Sequence, residues 1–204
     1  MMTTVTTASR IPIDGPIETP WKLPYRGNIG MACLILAESA IFIIFVVAYI
    51  YYIGKSLSGP TPAQVLELPI FGTICLLSSS FFVHHAVSSL RKENFRACTL
   101  HLAATVLLGT IFLITTAREW YHLIHDEGLT IKTNLFGSTY YSLVGLHATH
   151  VVIGLIMLSI TLAFSLAGRV KDEHSEKLEV LSLYWHFVDA VWVVVFLVVY
   201  VIGR

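Results

Sequence analysis

The run LSLYWHFVDAVWVVVFLVVYVI, residues 181–202, decides the fold of this chain. A helix rises about 1.5 Å per residue, so a stretch of this length and apolarity reaches across the roughly 30 Å hydrocarbon layer of a bilayer. Within it, His186 and Asp189 are three apart and Trp185 and Trp192 are seven apart. Both spacings put the paired residues on one face of a helix. Ionisable groups at such depth are costly against lipid, so that face is expected to meet protein.

Four more segments share this character. With the last one, the spans are expected near 30–53, 68–90, 97–119, 137–166 and 180–202. The chain has 204 residues, 55% hydrophobic and 13% charged, with a mean hydropathy of +0.74. A soluble domain carries about 25% charged residues. No repeat and no long linker divides the apolar part. The fold class expected is therefore all-α integral membrane, a single five-helix bundle over 30–204 preceded by a polar arm over 1–29. That arm holds Pro12, Pro16, Pro20 and Pro24, and it lacks the apolar core and cleavage site of a signal peptide.

Basic residues set the expected orientation. Arg10, Lys22, Arg26, Arg91, Lys92, Arg96, Arg169, Lys171 and Lys177 fall on one side of a five-span protein. Lys55, Arg118, Lys132 and Arg204 fall on the other or at its edge. This bias predicts a cytoplasmic N-terminus and an external C-terminus. Zero net charge gives no reason to expect a nucleic-acid partner. Cys33, Cys75 and Cys98 are too scattered for a disulfide framework or a CxxC metal site and read as small apolar side chains.

Ionisable residues inside the spans are the candidate functional groups. Glu38 lies about 12 Å into the first span. It is either a proton-linked or lipid-linked site, or a structural carboxyl bonded to a neighbouring helix. His147 and His150 share a face of the fourth span. A metal there lacks further ligands nearby in sequence, though ligands can converge in space; a hydrogen bond between helices, with Glu38 as one partner, is the other reading. Arg118 and Glu119 close the third span, where an ion pair or lipid phosphate would offset burial. His122, His125, Asp126 and Glu127 read as a solvated outer loop. Adjacent His84 and His85 point to different faces near the cytoplasmic end of the second span. Glu38, His186, Asp189 and His150 are expected to form one polar layer below the midplane. Ser78-Ser79-Ser80, and Gly145, Thr149 and Gly154, mark faces where helices can approach closely.

With these motifs in place, the chain resembles subunit III of the haem–copper terminal oxidases. The specific match is Tyr184-Trp185-His186-Phe187-x-Asp189-x-Val191-Trp192. In the family's order stand Ala37-Glu38-Ser39, Glu119-Trp120, Phe136-Gly137-Ser138-Thr139, and Gly145-Leu146-His147-Ala148-Thr149-His150-Val151, with Ala148 where glycine is usual. The likeness covers 30–204 and is closest to the short five-helix bacterial form, of quinol-oxidase or cytochrome c oxidase type.

The resemblance implies a multi-pass protein of the bacterial inner membrane and a non-catalytic subunit of a proton-pumping oxidase that reduces oxygen to water. It implies no haem or copper in this chain, with both in partner subunits, and bound structural phospholipid. The partners implied are subunit I as main contact, subunit II and subunit IV. The implied role is to stabilise subunit I and support its proton uptake, with Glu38 at the place of a carbodiimide-reactive carboxylate in some relatives. Rival readings are an accessory subunit of a nitric oxide reductase, a proton-coupled transporter using Glu38, His150 and Asp189, and a haem- or quinone-binding subunit. The electron donor, cytochrome c or quinol, is not legible.

Overall fold

The computed structural model describes residues 26–56, 59–170 and 174–203. Its helices are α1 (Arg26–Tyr52), the short α2 (Pro62–Val65), α3 (Ile70–Arg91), α4 (Phe95–His125), α5 (Leu135–Leu166) and α6 (Ser175–Phe196). A π-helical turn, Leu197–Ile202, continues α6. Five of these are long and apolar enough to cross a membrane, α6 and its π-helical turn counting as one. The expected arm falls outside the described residues as far as residue 25. No proline occurs between Arg26 and Tyr52, and α1 starts at Arg26, so the last four residues assigned to the arm are helical.

The helix ends follow from local chemistry. The Asn94 side chain caps α4 by accepting from the Ala97 N–H at 3.2 Å, and Asn134 caps α5 by accepting from the Gly137 N–H at 2.8 Å. Between α3 and α4 the chain reverses in three residues, with Glu93 in the left-handed region at φ 56°. There the Asn94 N–H reaches the Ser89 carbonyl and the Glu93 N–H reaches that of Leu90. This is a Schellman closure with a glutamate where glycine is usual. The result is a tight helical hairpin.

α4 corrects one expectation. It runs to His125, so His122 and His125 stand on its exposed last turns and not in a loop. Loss of apolarity after Glu119 marks where the membrane side of the helix changes, not where its backbone hydrogen bonding stops.

α6 lies at the centre. It packs on α1, α3 and α5, while α3 packs on α4 and α4 on α5. α1 packs mainly on α5 and α6, and to a lesser extent on the π-helical turn. Its buried side chains are Phe42 and Tyr49, and most of its large aliphatic side chains, Leu36, Ile43 and Ile44 among them, face outward.

Candidate functional site

Two tryptophans fix α6 in the bundle. Trp185 is fully buried and touches three helices at once. Its indole N–H donates to Ser79 Oγ on α3 at 2.8 Å. Its ring lies against Gly154 of α5 and Gly109 of α4, where an added Cβ would stand 2.7 Å and 3.1 Å from ring carbons. Trp192, two turns on, repeats the arrangement. Its N–H donates to Thr73 Oγ1 on α3 at 3.1 Å. Its ring stacks on His147 of α5 at 5.0 Å and meets Phe112 of α4 edge-on at 4.8 Å. The heptad spacing thus places both indoles inside the bundle, Trp185 in a hole cut by Gly109 and Gly154 and Trp192 between His147 and Phe112.

Between the tryptophans sits a polar set. The Ser80 hydroxyl donates to Asp189 Oδ2 and lies 2.9 Å from His186 Nδ1. A hydroxyl has one hydrogen, so with that hydrogen on the carboxylate, His186 donates from Nδ1. Asp189 is buried, and its Oδ1 has no partner among the described residues.

A second polar set joins the peripheral helix to the core. Glu38 Oε2 of α1 lies 3.2 Å from His150 Nε2 of α5. His150 Nδ1 is 2.8 Å from the Leu146 carbonyl, which only accepts, so Nδ1 carries a hydrogen. Nε2 and Oε2 therefore share one proton, as imidazole with carboxylic acid or as imidazolium with carboxylate. The Tyr184 hydroxyl donates to the His150 carbonyl at 3.1 Å, and Phe42 packs against both His150 and Phe187.

The single layer expected from depth alone is thus two hydrogen-bonded sets. His186 and Asp189 turn to Ser80 of α3, whereas Glu38 meets His150. Equal depth did not mean the same face. His147 faces elsewhere again. It is fully buried beside Trp192 and Phe112, and neither ring nitrogen has a hydrogen-bond partner among the described residues.

Glu119 does not pair with its neighbour. Its Oε1 accepts from the hydroxyls of Tyr200 at 2.8 Å and Tyr140 at 3.2 Å, and the two hydroxyls are 3.2 Å apart. Arg118 points outward and forms no ion pair among the described residues. Adjacent helical positions are about 100° apart, which separates the two charges. The tyrosines were missed at the sequence level. The signal available was their common level: each lies in an otherwise apolar helix toward the same end as Glu119. The π-helical turn, closed by the Gly203 N–H on the Val198 carbonyl at 2.9 Å, aims Tyr200 at this carboxyl.

These arrangements can pin helices and exchange protons over a hydrogen bond or two. Among the described residues, no three His, Cys, Asp or Glu side chains converge as a metal cage would require.

Comparison with known proteins gives a consistent picture. The family model described as cytochrome c oxidase subunit III matches residues 25–204. The chain is 36% identical to cytochrome c oxidase subunit 3 of Alkalihalophilus pseudofirmus over 81% of this chain and 82% of that one. It is 37% identical to the Synechocystis protein of the same name, over 85% and 74%. It is also 31% identical to a probable quinol oxidase subunit 3 of Staphylococcus saprophyticus, over 88% and 92%.

Proposed function

The chain belongs to the cytochrome c oxidase subunit III family, and from that premise we propose that it acts as a non-catalytic subunit that binds phospholipid, stabilises subunit I and supports its proton uptake. Membership makes it a multi-pass subunit of a bacterial terminal oxidase complex in the plasma membrane. The finer reading places haem and copper in its partners, with oxygen reduced to water on subunit I, and gives it subunit I as main contact beside subunits II and IV. In this reading the N-terminus is cytoplasmic.

The observation that best supports a supporting rather than catalytic role is the Glu38–His150 contact. It is a polar tie between α1 and the core, and it holds one exchangeable proton. A second support is the exposed aliphatic face of α1, which suits lipid tails or a partner helix.

The test uses the intact complex with Glu38→Gln. Initial oxygen reduction should stay near normal, while activity decays faster over repeated turnover or bound lipid is lost. An immediate, complete loss of activity, with subunit I still bound and fully haemed, would overturn the reading. Relatives carry both cytochrome c and quinol oxidase names, so the donor is settled by co-purification: a copper-binding subunit II in the preparation identifies cytochrome c.

A further inference from the structure

The polar set between the two tryptophans has ends of opposite character. Asp189 is buried, and its Oδ1 has no partner among the described residues. His186 is half-buried, and its ring centroid lies 6.5 Å from that of His84 on α3. His84 is exposed. It stands seven residues before Arg91, where α3 ends, and so about 10 Å along the helix from that end. Ser80, one turn before His84, bridges His186 and Asp189. A row of side chains able to carry protons thus leads from the surface to a buried carboxyl.

The bridge fits two proton arrangements on the same heavy atoms. In one, Ser80 donates to the Asp189 carboxylate and His186 donates from Nδ1 to Ser80, which leaves Nε2 bare. In the other, Asp189 is a carboxylic acid that donates from Oδ2 to Ser80. Ser80 then donates to Nδ1, and the ring hydrogen of His186 is on Nε2. The second arrangement holds one proton more. The first becomes the second when a proton joins Nε2, the Nδ1 hydrogen crosses to Ser80 Oγ, and the Ser80 hydrogen crosses to Asp189 Oδ2. No bond between heavy atoms forms or breaks, and no side chain has to turn.

We propose that His84, His186, Ser80 and Asp189 form a proton-exchange site that takes up one proton at His84 and holds it on Asp189. The separation of the two imidazoles is one that a bridging water spans, and imidazole is the side chain suited to pass protons near neutral pH. On α3 and α4, His85 and His101 continue the row along the surface, with centroids 5.9 Å from His84 to His85 and 5.7 Å from His85 to His101. On α6, Glu179 is held by Arg91 of α3. On α1 and α5, Glu38 and His150 face each other, and His147 lies against Trp192 and Phe112. The site therefore works without Glu38 and gives the chain a proton store of its own, beyond the role proposed above.

The test is infrared difference spectroscopy of the intact oxidase complex on transfer from H2O to D2O. The carboxylic C=O band that disappears in Asp189→Asn belongs to Asp189, and in the wild type it should shift promptly on deuteration. Ser80→Ala leaves the carboxyl in place and breaks the relay. Its shift should be at least about tenfold slower, because exchange then waits on local opening of the helices. Ser80→Thr returns the hydroxyl and should return the rate. His84→Phe, a change at the surface, should slow the shift as well, and it decides the matter if the Ser80→Ala complex fails to assemble. Co-purified haem reports folding. Equal rates in wild type and Ser80→Ala would overturn the proposal, as would a wild-type rate in His84→Phe. So would slow exchange in Ser80→Thr, which assigns the hydroxyl to packing, or a wild type with no carboxylic band from Asp189. Glu38→Gln should leave the exchange unchanged, so a failure here and a failure of the Glu38 role are read separately.

Discussion

α1 and α6 are both apolar membrane helices, and they are held in the bundle by different means. α6 packs two indoles against three neighbouring helices, Trp185 in a notch at Gly109 and Gly154, with each N–H satisfied by a hydroxyl of α3. α1 buries Phe42 and Tyr49 and adds, among the described residues, one polar contact, Glu38 to His150. In lipid, burying an aliphatic side chain between helices gains little over leaving it in the acyl chains, so close packing and hydrogen bonds decide which helices stay together. By that measure α6 is the keystone. α1 is the adjustable part, the helix whose position a lipid or a partner subunit can alter at small cost.

The sharpest way to break this contrast is to fill a notch. Gly154→Val would place a Cβ 2.7 Å from the Trp185 ring. That ring cannot retreat, because Gly109 and Leu155 crowd the space around its far edge and Ser79 holds its N–H. Overpacking of this kind costs about 1–3 kcal/mol or more where nothing can yield. The expected result is little or no subunit recovered with the complex, read by affinity purification and immunoblot. Filling the open end of α1 with Gly30→Val, where an added Cβ meets nothing within 4 Å, should leave recovery unchanged. Normal assembly of the Gly154 variant would end the keystone argument.

A milder change comes next. Trp185→Phe keeps an aromatic ring but loses the hydrogen bond to Ser79 and leaves a void. The expected destabilisation is about 1–3 kcal/mol, measured as a lower midpoint of thermal inactivation in detergent. Ser79→Ala, which strands the buried indole N–H, should shift the midpoint in the same direction. An unchanged midpoint in both would mean that shape alone, not the hydrogen bond, docks α6.

The contrast also shows what the sequence could and could not convey. The heptad of Trp185 and Trp192 and the small residues Ser79, Ser80 and Gly154 were visible as pattern, because helix periodicity assigns faces within one segment. The five spans were visible for the same local reason, that length and apolarity meet the bilayer's thickness. Which faces meet is a property of two segments together, and there depth misled. Glu38, His186 and Asp189 lie at similar levels, yet α1 turns its carboxyl to α5 while α6 turns its polar pair to Ser80. Glu119 was read with its chain neighbour Arg118, when its partners are tyrosines 21 and 81 positions away. The π-helical turn that aims Tyr200 has no signal in composition.

The smallest expected effect belongs to α1, and it separates two roles for Glu38. With Nδ1 of His150 bonded to the Leu146 carbonyl, Nε2 needs a donor whenever the ring is neutral. Gln at position 38 can supply one from its amide N–H, so Glu38→Gln should keep α1 docked while removing the shared, exchangeable proton. Glu38→Leu removes both. Interhelical hydrogen bonds in membranes average about 0.6 kcal/mol and reach about 1.7. The leucine variant should therefore loosen α1 by no more than that, seen as faster protease cutting between α1 and α3 in the reconstituted complex, and the glutamine variant should match wild type. If glutamine preserves docking and still shortens the enzyme's working life over turnover, the proton in this contact matters beyond its hold on the helix. If both variants lose α1 equally, the carboxyl serves packing, and the difference between α1 and α6 is one of degree.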